Sequence, residues 1–265
     1  MAVRRPSFAG SFYPDDPASL QALLERFFSA AAGFPSCHPY GIVVPHAGIA
    51  ISGRIAARSF AAIDPEFTGT FVVIGPSHAG YPTCTSTLDW GTPLGTVKTN
   101  QAFVEALPLP KDDDVMAARE NSIEVMMPFI RYRFPRSLVA VIQMGNQSYE
   151  PARRVADAIV QAQKTTGEEI VIVASSDYSH YVMESVAERQ DHYVIEPLLS
   201  LDMPEMYRRI REEAVSTCGY GPVAAMVEAT RQFGATRAEL LDYSTSAEVT
   251  GDHFQVVGYA AVAVV

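Results

Sequence analysis

Four short apolar runs constrain the fold of this chain more than any other feature: GIVVP at 41–45, FVVIG at 71–75, LVAVIQM at 138–144 and IVIVAS at 170–175. Each is rich in β-branched residues and lacks polar alternation. That pattern marks strands buried on both faces, as in a parallel sheet covered by helices. Three of the six histidines sit just past such a run: His46 after GIVVP, His78 after FVVIGPS and His180 after IVIVASSDYS. The carboxyl ends of parallel strands are where α/β proteins build their sites, so the three imidazoles are expected to meet in one crevice.

The segments between the runs fit this reading. Asp16-Pro17 signals a helix start, and Leu20, Leu23, Leu24, Phe27 and Phe28 then share one face until Gly33 closes the helix. Ser52 to Ile63 reads as a helix joining the first two runs into a strand–helix–strand unit, which sets those strands parallel. Thr83 to Thr99 carries turn signals at Gly91-Thr92-Pro93 and Gly95, as a hairpin or edge strands would. Ser122 to Phe134 reads as a helix interrupted at Pro128, and Pro151 to Thr165 as another. Further on, helices are expected at 187–200, 203–214 and 222–233, an extended segment at 240–246 and a closing strand or pair at 254–265. The expectation is a single α/β domain over 1–265, with a central mostly parallel or mixed sheet and helices on both faces.

Composition narrows the function. A net charge of −10 without a long Lys/Arg run argues against binding nucleic acid through its phosphates. No apolar stretch reaches the roughly 20 residues needed to cross a bilayer, and MAVRRPSFAG lacks a signal-peptide core, so no membrane contact and a cytoplasmic location are expected. Cys37, Cys84 and Cys218 are odd in number and scattered, which suits reduced thiols.

The chemistry concentrates in a few turns. His46 in PHAG and His78 in GPSHAG are placed as metal ligands on neighbouring parallel strand ends, although a capping or core role for His46 stays open. In SSDYSH, Asp177 and His180 lie three apart. The aspartate can ligate a metal, orient an imidazole or cap a following helix. Cys218 in STCGYGP occupies another tight turn, where its thiolate would complete a His/His/Cys set suited to iron(II), copper or zinc, unless it is an inert buried thiol. Glu120, Asn121 and Glu124 open a helix and either project into the pocket as acid/base groups or decorate a solvated helix start. His38, His192 and His253 have no such context and read as structural or exposed.

PHAGIAISG (45–53), GPSHAG (75–80), ENSIEVMMPFI (120–130), SSDYSHY (175–181), TCGYGP (217–222) and YSTSAEVTGDHFQVVGYAA (243–261), with FAGSFYP (8–14) at the start, resemble the ordered motifs of the Memo family over almost the whole chain. The resemblance implies a fold similar to class III extradiol ring-cleavage dioxygenases, non-haem iron enzymes whose metal is held by two histidines and a carboxylate. It implies that His46 and His78 match the ligand histidines and His180 the acid/base histidine, with Cys218 beside the place of the dioxygenase carboxylate. Asp177 and Glu124 join His180 as candidate acid/base groups. Many relatives read Glu-His-Ser where this chain has Glu120-Asn121-Ser122. Iron(II) is the first candidate metal, copper or zinc the others.

Two functions follow from the resemblance: a metal-dependent oxidoreductase of dioxygenase type, or a non-catalytic protein that uses a vestigial pocket for a metal ion or peptide. Animal members are associated with motility signalling, phosphopeptide binding and iron or copper handling, and prokaryotic members with radical-SAM partners. A small molecule or peptide in the metal pocket is the expected ligand. A homodimer is expected only from how common such assemblies are.

Overall fold

The computed structural model of the chain describes residues 2–33 and 38–265; Cys37 lies outside them. The eleven strands found there form one mixed sheet. Its order is Val3–Arg4, Asp89–Thr92, Gly95–Thr99, Leu138–Met144, Thr70–Pro76, Ile170–Ser175, Gly41–Val44, Val256–Val264 and Ala238–Thr245. Cys84–Thr85 pairs with Leu138–Met144, and His180–Val182 with Val256–Val264. The four apolar runs form the parallel centre, and the closing strand is antiparallel to Gly41–Val44.

One topological point corrects the simple reading. The strands leading to His46 and His78 are parallel but not neighbours, because Ile170–Ser175 runs between them and pairs with both. A helix crossover spans one strand position as readily as none, so sequence adjacency does not fix spatial adjacency. As a result, three carboxyl ends lie side by side in the order His78, Asp177, His46.

Both faces of the sheet are covered. Val43, Val72, Ile74, Ala140, Ile142, Ile172 and Ala174 pack under residues of Tyr149–Thr166 and Tyr220–Gln232. Ile42, Val44, Phe71, Val73, Val139, Val141 and Val173 pack under Pro17–Ala30, Ile49–Ala61 and Met126–Arg133. The first of these helices starts as expected: the Asp16 side chain accepts from the Ser19 N–H at 2.7 Å, and Pro17 fills a position whose N–H needs no partner. Gly53 lets the first two of them approach closely, since a Cβ there would stand 2.6 Å from the Phe27 ring.

The expected break at Pro128 falls elsewhere. Two short helices, Asn121–Glu124 and Met126–Arg133, meet at Val125, and Pro128 sits in the first turn of the second. There its missing N–H leaves no bond unmade, so the proline helps start that helix. The helix expected from Ser52 begins at Ile49, with Gly48 as its N-cap. Gln101–Ala106, Asp113–Ala117 and Ala247–Thr250 are helices too short to show a sequence period. None of the described helices is long and apolar enough to cross a membrane.

Aromatic rings pack in a layer under the second face. Phe60 and Phe129 stack with centroids 5.6 Å apart and rings 13° from parallel. Phe129 is fully buried, so Phe129→Ala is expected to cost about 3–5 kcal/mol, with a lower urea midpoint at unchanged slope.

Candidate metal centre

Each group of the site hangs from a strand end or a helix start. His46 follows Gly41–Val44, His78 follows Thr70–Pro76, Asp177 follows Ile170–Ser175, and Cys218 immediately precedes Gly219, the N-cap of Tyr220–Gln232. One ligand atom from each of His46, His78 and Cys218 lies within 4.8 Å of the others. His46 Nε2 is 3.2 Å from Cys218 Sγ, and the two imidazole rings are 5.2 Å apart at 77°.

Hydrogen bonding fixes which ring nitrogens are free. Ser175 Oγ donates its only proton to the Ser122 carbonyl at 2.5 Å, so it must accept from His46 Nδ1–H at 2.8 Å. The Nε2 lone pair of His46 therefore faces the thiol. His78 Nδ1–H donates to Glu120 Oε1 at 2.8 Å, and its backbone N–H to Oε2 at 2.7 Å, which leaves Nε2 as its free donor. A carboxylate or hydroxyl behind a ligating imidazole is the usual way a protein holds the tautomer and ring plane a metal requires.

The electrostatics divide the two histidines. Burial lowers the pKa of His46, against the pull of Asp177, and keeps the ring neutral. The bond to Glu120 raises that of His78, outweighing its partial burial. For Glu120, burial opposes ionisation, but the bonds from His78 and the Ser122 N–H prevail and hold the carboxyl at about 2. Burial and the Asp177 carboxylate push the Cys218 thiol well up; a thiolate there needs a bound cation to offset both effects.

Asp177 and Cys218 are locked together. The Asp177 N–H donates to Cys218 Sγ at 3.2 Å, and the Cys218 N–H to the Asp177 carbonyl at 3.3 Å. Asp177 Oδ1 accepts from the His46 N–H at 2.8 Å, while Oδ2 stands 4.0 Å from His46 Nε2. It caps no helix, because the segment continues as the strand His180–Val182. Gly219 makes the tight approach feasible: a Cβ there would stand 2.3 Å from the Ser175 carbonyl oxygen.

His180 lies outside the three-ligand group. Its Nδ1–H donates to the Ser216 carbonyl at 2.8 Å, and Nε2 has no hydrogen bond among the described residues. Glu124 is placed differently from the pocket-facing expectation. It is fully buried, pairs with Arg4, and accepts from Ser7 N (3.0 Å), Phe8 N (2.8 Å) and the Tyr13 hydroxyl (2.6 Å). It anchors the chain's start, and these donors occupy both its oxygens. Asn121 Nδ2 donates to the His46 carbonyl at 3.2 Å. Ser122, Ser175 and Ser216 carried no sequence signal, since their roles arise from contacts far apart in the chain. His192 and His253 bond to Glu188 and Glu184 outside the cluster.

The family model described as "Memo-like protein" matches residues 4–263. The chain belongs to the Memo family. A MEMO1 family protein of Methanosarcina barkeri is 39% identical, over 99% of this chain and 100% of that one. One from Methanococcoides burtonii is 40% identical over 99% and 100%, and one from Archaeoglobus fulgidus 40% over 98% of each. An uncharacterized protein from Escherichia coli K12, known from its crystal structure, aligns over 84% of this chain at 13% identity, with a TM-score of 0.49. The Memo assignment rests on the sequence matches alone.

Two outcomes are expected. The Glu120–His78 pair stabilises this Memo chain fully only where both partners are charged. Its contribution fades as pH falls from 4.5 toward 2 and as pH rises through the raised value of His78, above 6.5. Glu120→Gln should lower the thermal midpoint most within that window, by the equivalent of about 1 kcal/mol given a half-open histidine, and move the His78 NMR titration down. Glu124→Ala strands a buried Arg4 and should cost about 3–5 kcal/mol in urea unfolding, without changing metal binding by the folded protein.

Proposed function

We propose that this Memo chain is a metal-binding protein in which His46, His78 and Cys218 hold one divalent ion. Iron(II) is the first candidate, copper and zinc the others, and Asp177 Oδ2 is a further donor beside His46. The observation that carries the proposal is the pair of acceptors behind the imidazoles. Ser175 and Glu120 hold the Nδ1–H of each imidazole, which leaves the two Nε2 lone pairs as the ligating atoms, that of His46 already facing Cys218 Sγ. A structural histidine needs no such orientation, whereas a ligand does. Two imidazoles and a sulfur suit borderline transition metals and are a poor set for magnesium or calcium.

A bound ion would supply Lewis-acid polarisation of a ligand oxygen and, if it is iron or copper, one-electron chemistry. The finer reading is an oxygen-dependent oxidoreductase of extradiol type. In it, His180 Nε2 takes the proton from a ligand hydroxyl, because Ser216 already holds its Nδ1–H. Asp177 keeps the His46 backbone in place and sets negative charge beside the ion. A shallow cavity of about 460 Å³, lined by Tyr81, Asn146, Gln147, Ser148 and Tyr220, lies near the turn of Cys218, whose carbonyl Gln147 bonds, but contains none of the ligand residues. Another cavity, of about 450 Å³, lies at the amino-terminal ends of the strands, near His38 and Glu169, and has no part in this chemistry.

The test is metal analysis of anaerobically purified protein. Near-stoichiometric iron or copper is expected in the native chain, and its loss in His46→Ala and Cys218→Ala. His180→Ala should keep the metal and lose oxygen uptake with catechols. No metal after loading with iron(II), copper and zinc would overturn the proposal. Metal without turnover on any catechol would leave a binding protein and remove the oxygenase reading.

A further inference from the structure

Tyr259 lies on the strand that runs alongside the His46 strand, and its hydroxyl makes no hydrogen bond among the described residues. Tyr259 sits near the start of Val256–Val264, which runs antiparallel to Gly41–Val44 with Val262 opposite Val43 and Val264 opposite Gly41. The same register carried on past Val43 brings residue 259 level with residue 46. The neighbouring backbone is tied to the loop between Asp177 and His180: the Gly258 N–H donates to the Ser179 carbonyl, and the Tyr178 N–H to the Gly258 carbonyl, each at 2.9 Å. Tyr259 is therefore held between the turn of His46 and the loop of Asp177 and His180.

The residue is 2% exposed and packs with Ile55 and Ala261, with Ala47 and Ile51 at the margin, on the side of the sheet covered by Ile49–Ala61. Tyr13, Tyr207 and Tyr243 spend their hydroxyls on Glu124, the Gln147 carbonyl and Asp191. Among the described residues, the Tyr259 hydroxyl has no such bond. Tyr178 also lacks one, but its ring lies in the core on the opposite face of the sheet. Burial, then Asp177 and Tyr181, push the Tyr259 phenol up, so it stays a protonated donor across the physiological range. The hydroxyl is not among the polar atoms sealed in the core without a partner, so its proton is available to a group that arrives next to it.

We infer that Tyr259 is a further ligand-binding residue of the site, whose hydroxyl donates a hydrogen bond to an anionic oxygen or nitrogen group bound at the metal position. The inference rests on the metal-binding reading above and names the class of ligand that site takes. A phenolate, a carboxylate or a small inorganic anion would each meet the Tyr259 proton. Neutral apolar ligands would gain nothing from it.

The experiment uses cobalt(II)-loaded protein and azide as the probe anion, titrated by visible absorption, with elemental analysis for metal content. Tyr259→Phe removes one oxygen atom from a packed ring, and Tyr149→Phe, which loses a remote bond to Glu228, serves as the control. The expected result is full cobalt in all three proteins, with azide binding about tenfold weaker in Tyr259→Phe alone. Full cobalt with native azide affinity in Tyr259→Phe would overturn this inference and leave the metal reading intact. A native chain that binds cobalt but no azide would also overturn it. A native chain that takes up no cobalt would overturn both.

Discussion

The candidate site depends on one arrangement: Ile170–Ser175 lies between the two strands that end in histidine, hydrogen-bonded to both. That placement puts Ser175 where it can take the His46 Nδ1–H and brings Asp177 against the His46 backbone. It also aligns the turn of Cys218 with the same edge, because Cys218 and Asp177 bond each other through backbone and sulfur. Had the two histidine strands been direct neighbours, no chain end between them would carry these groups.

Around that core of contacts the protein assigns its carboxylates to different tasks. Glu120 faces His78 and makes it a better electron donor, while Glu124, one helical turn away, faces the chain's start and closes a buried pair with Arg4. The two lie only four residues apart, but Glu120 is the cap before a short helix and Glu124 its last residue, and their carboxylates go to different partners. Glu120 is the N-cap of Asn121–Glu124 and accepts from the Ser122 N–H, which leaves its carboxylate at the pocket edge. The depressed value of Glu120 and the raised value of His78 are two views of that one contact.

The rigidity of the site follows from burial and close packing. His46 is almost fully buried, and Gly219 and Gly75 admit backbone and hydroxyl groups at distances no side chain would tolerate. Positions fixed that firmly hold a ligand set without paying ordering entropy when an ion arrives. His180 is the more open member and sits on a short strand beside Tyr181, whose ring is 74% exposed and whose φ is +57°. The site is thus closed at His46 and open toward His78 and His180, as a centre admitting a ligand from one side must be.

Much of this was legible in the chain itself. Four short β-branched runs bounded by turn residues read as buried strands, and a histidine just past such a run lies at the strand's carboxyl end, so the fold class and the placing of His46 and His78 follow from local pattern, whereas the tight turn of Cys218 leaves ligand and inert thiol both open. What the tertiary structure alone decided was the order of the strands, the choice of Ser175 and Glu120 as partners of the imidazoles, the diversion of Glu124 to Arg4, and the position of Tyr259 level with His46. The physical reason is range. Strand and helix periods act over a few neighbouring residues, whereas the hydrogen-bonded partners among these come together across 42 to 129 positions of sequence, within reach only once the sheet has assembled.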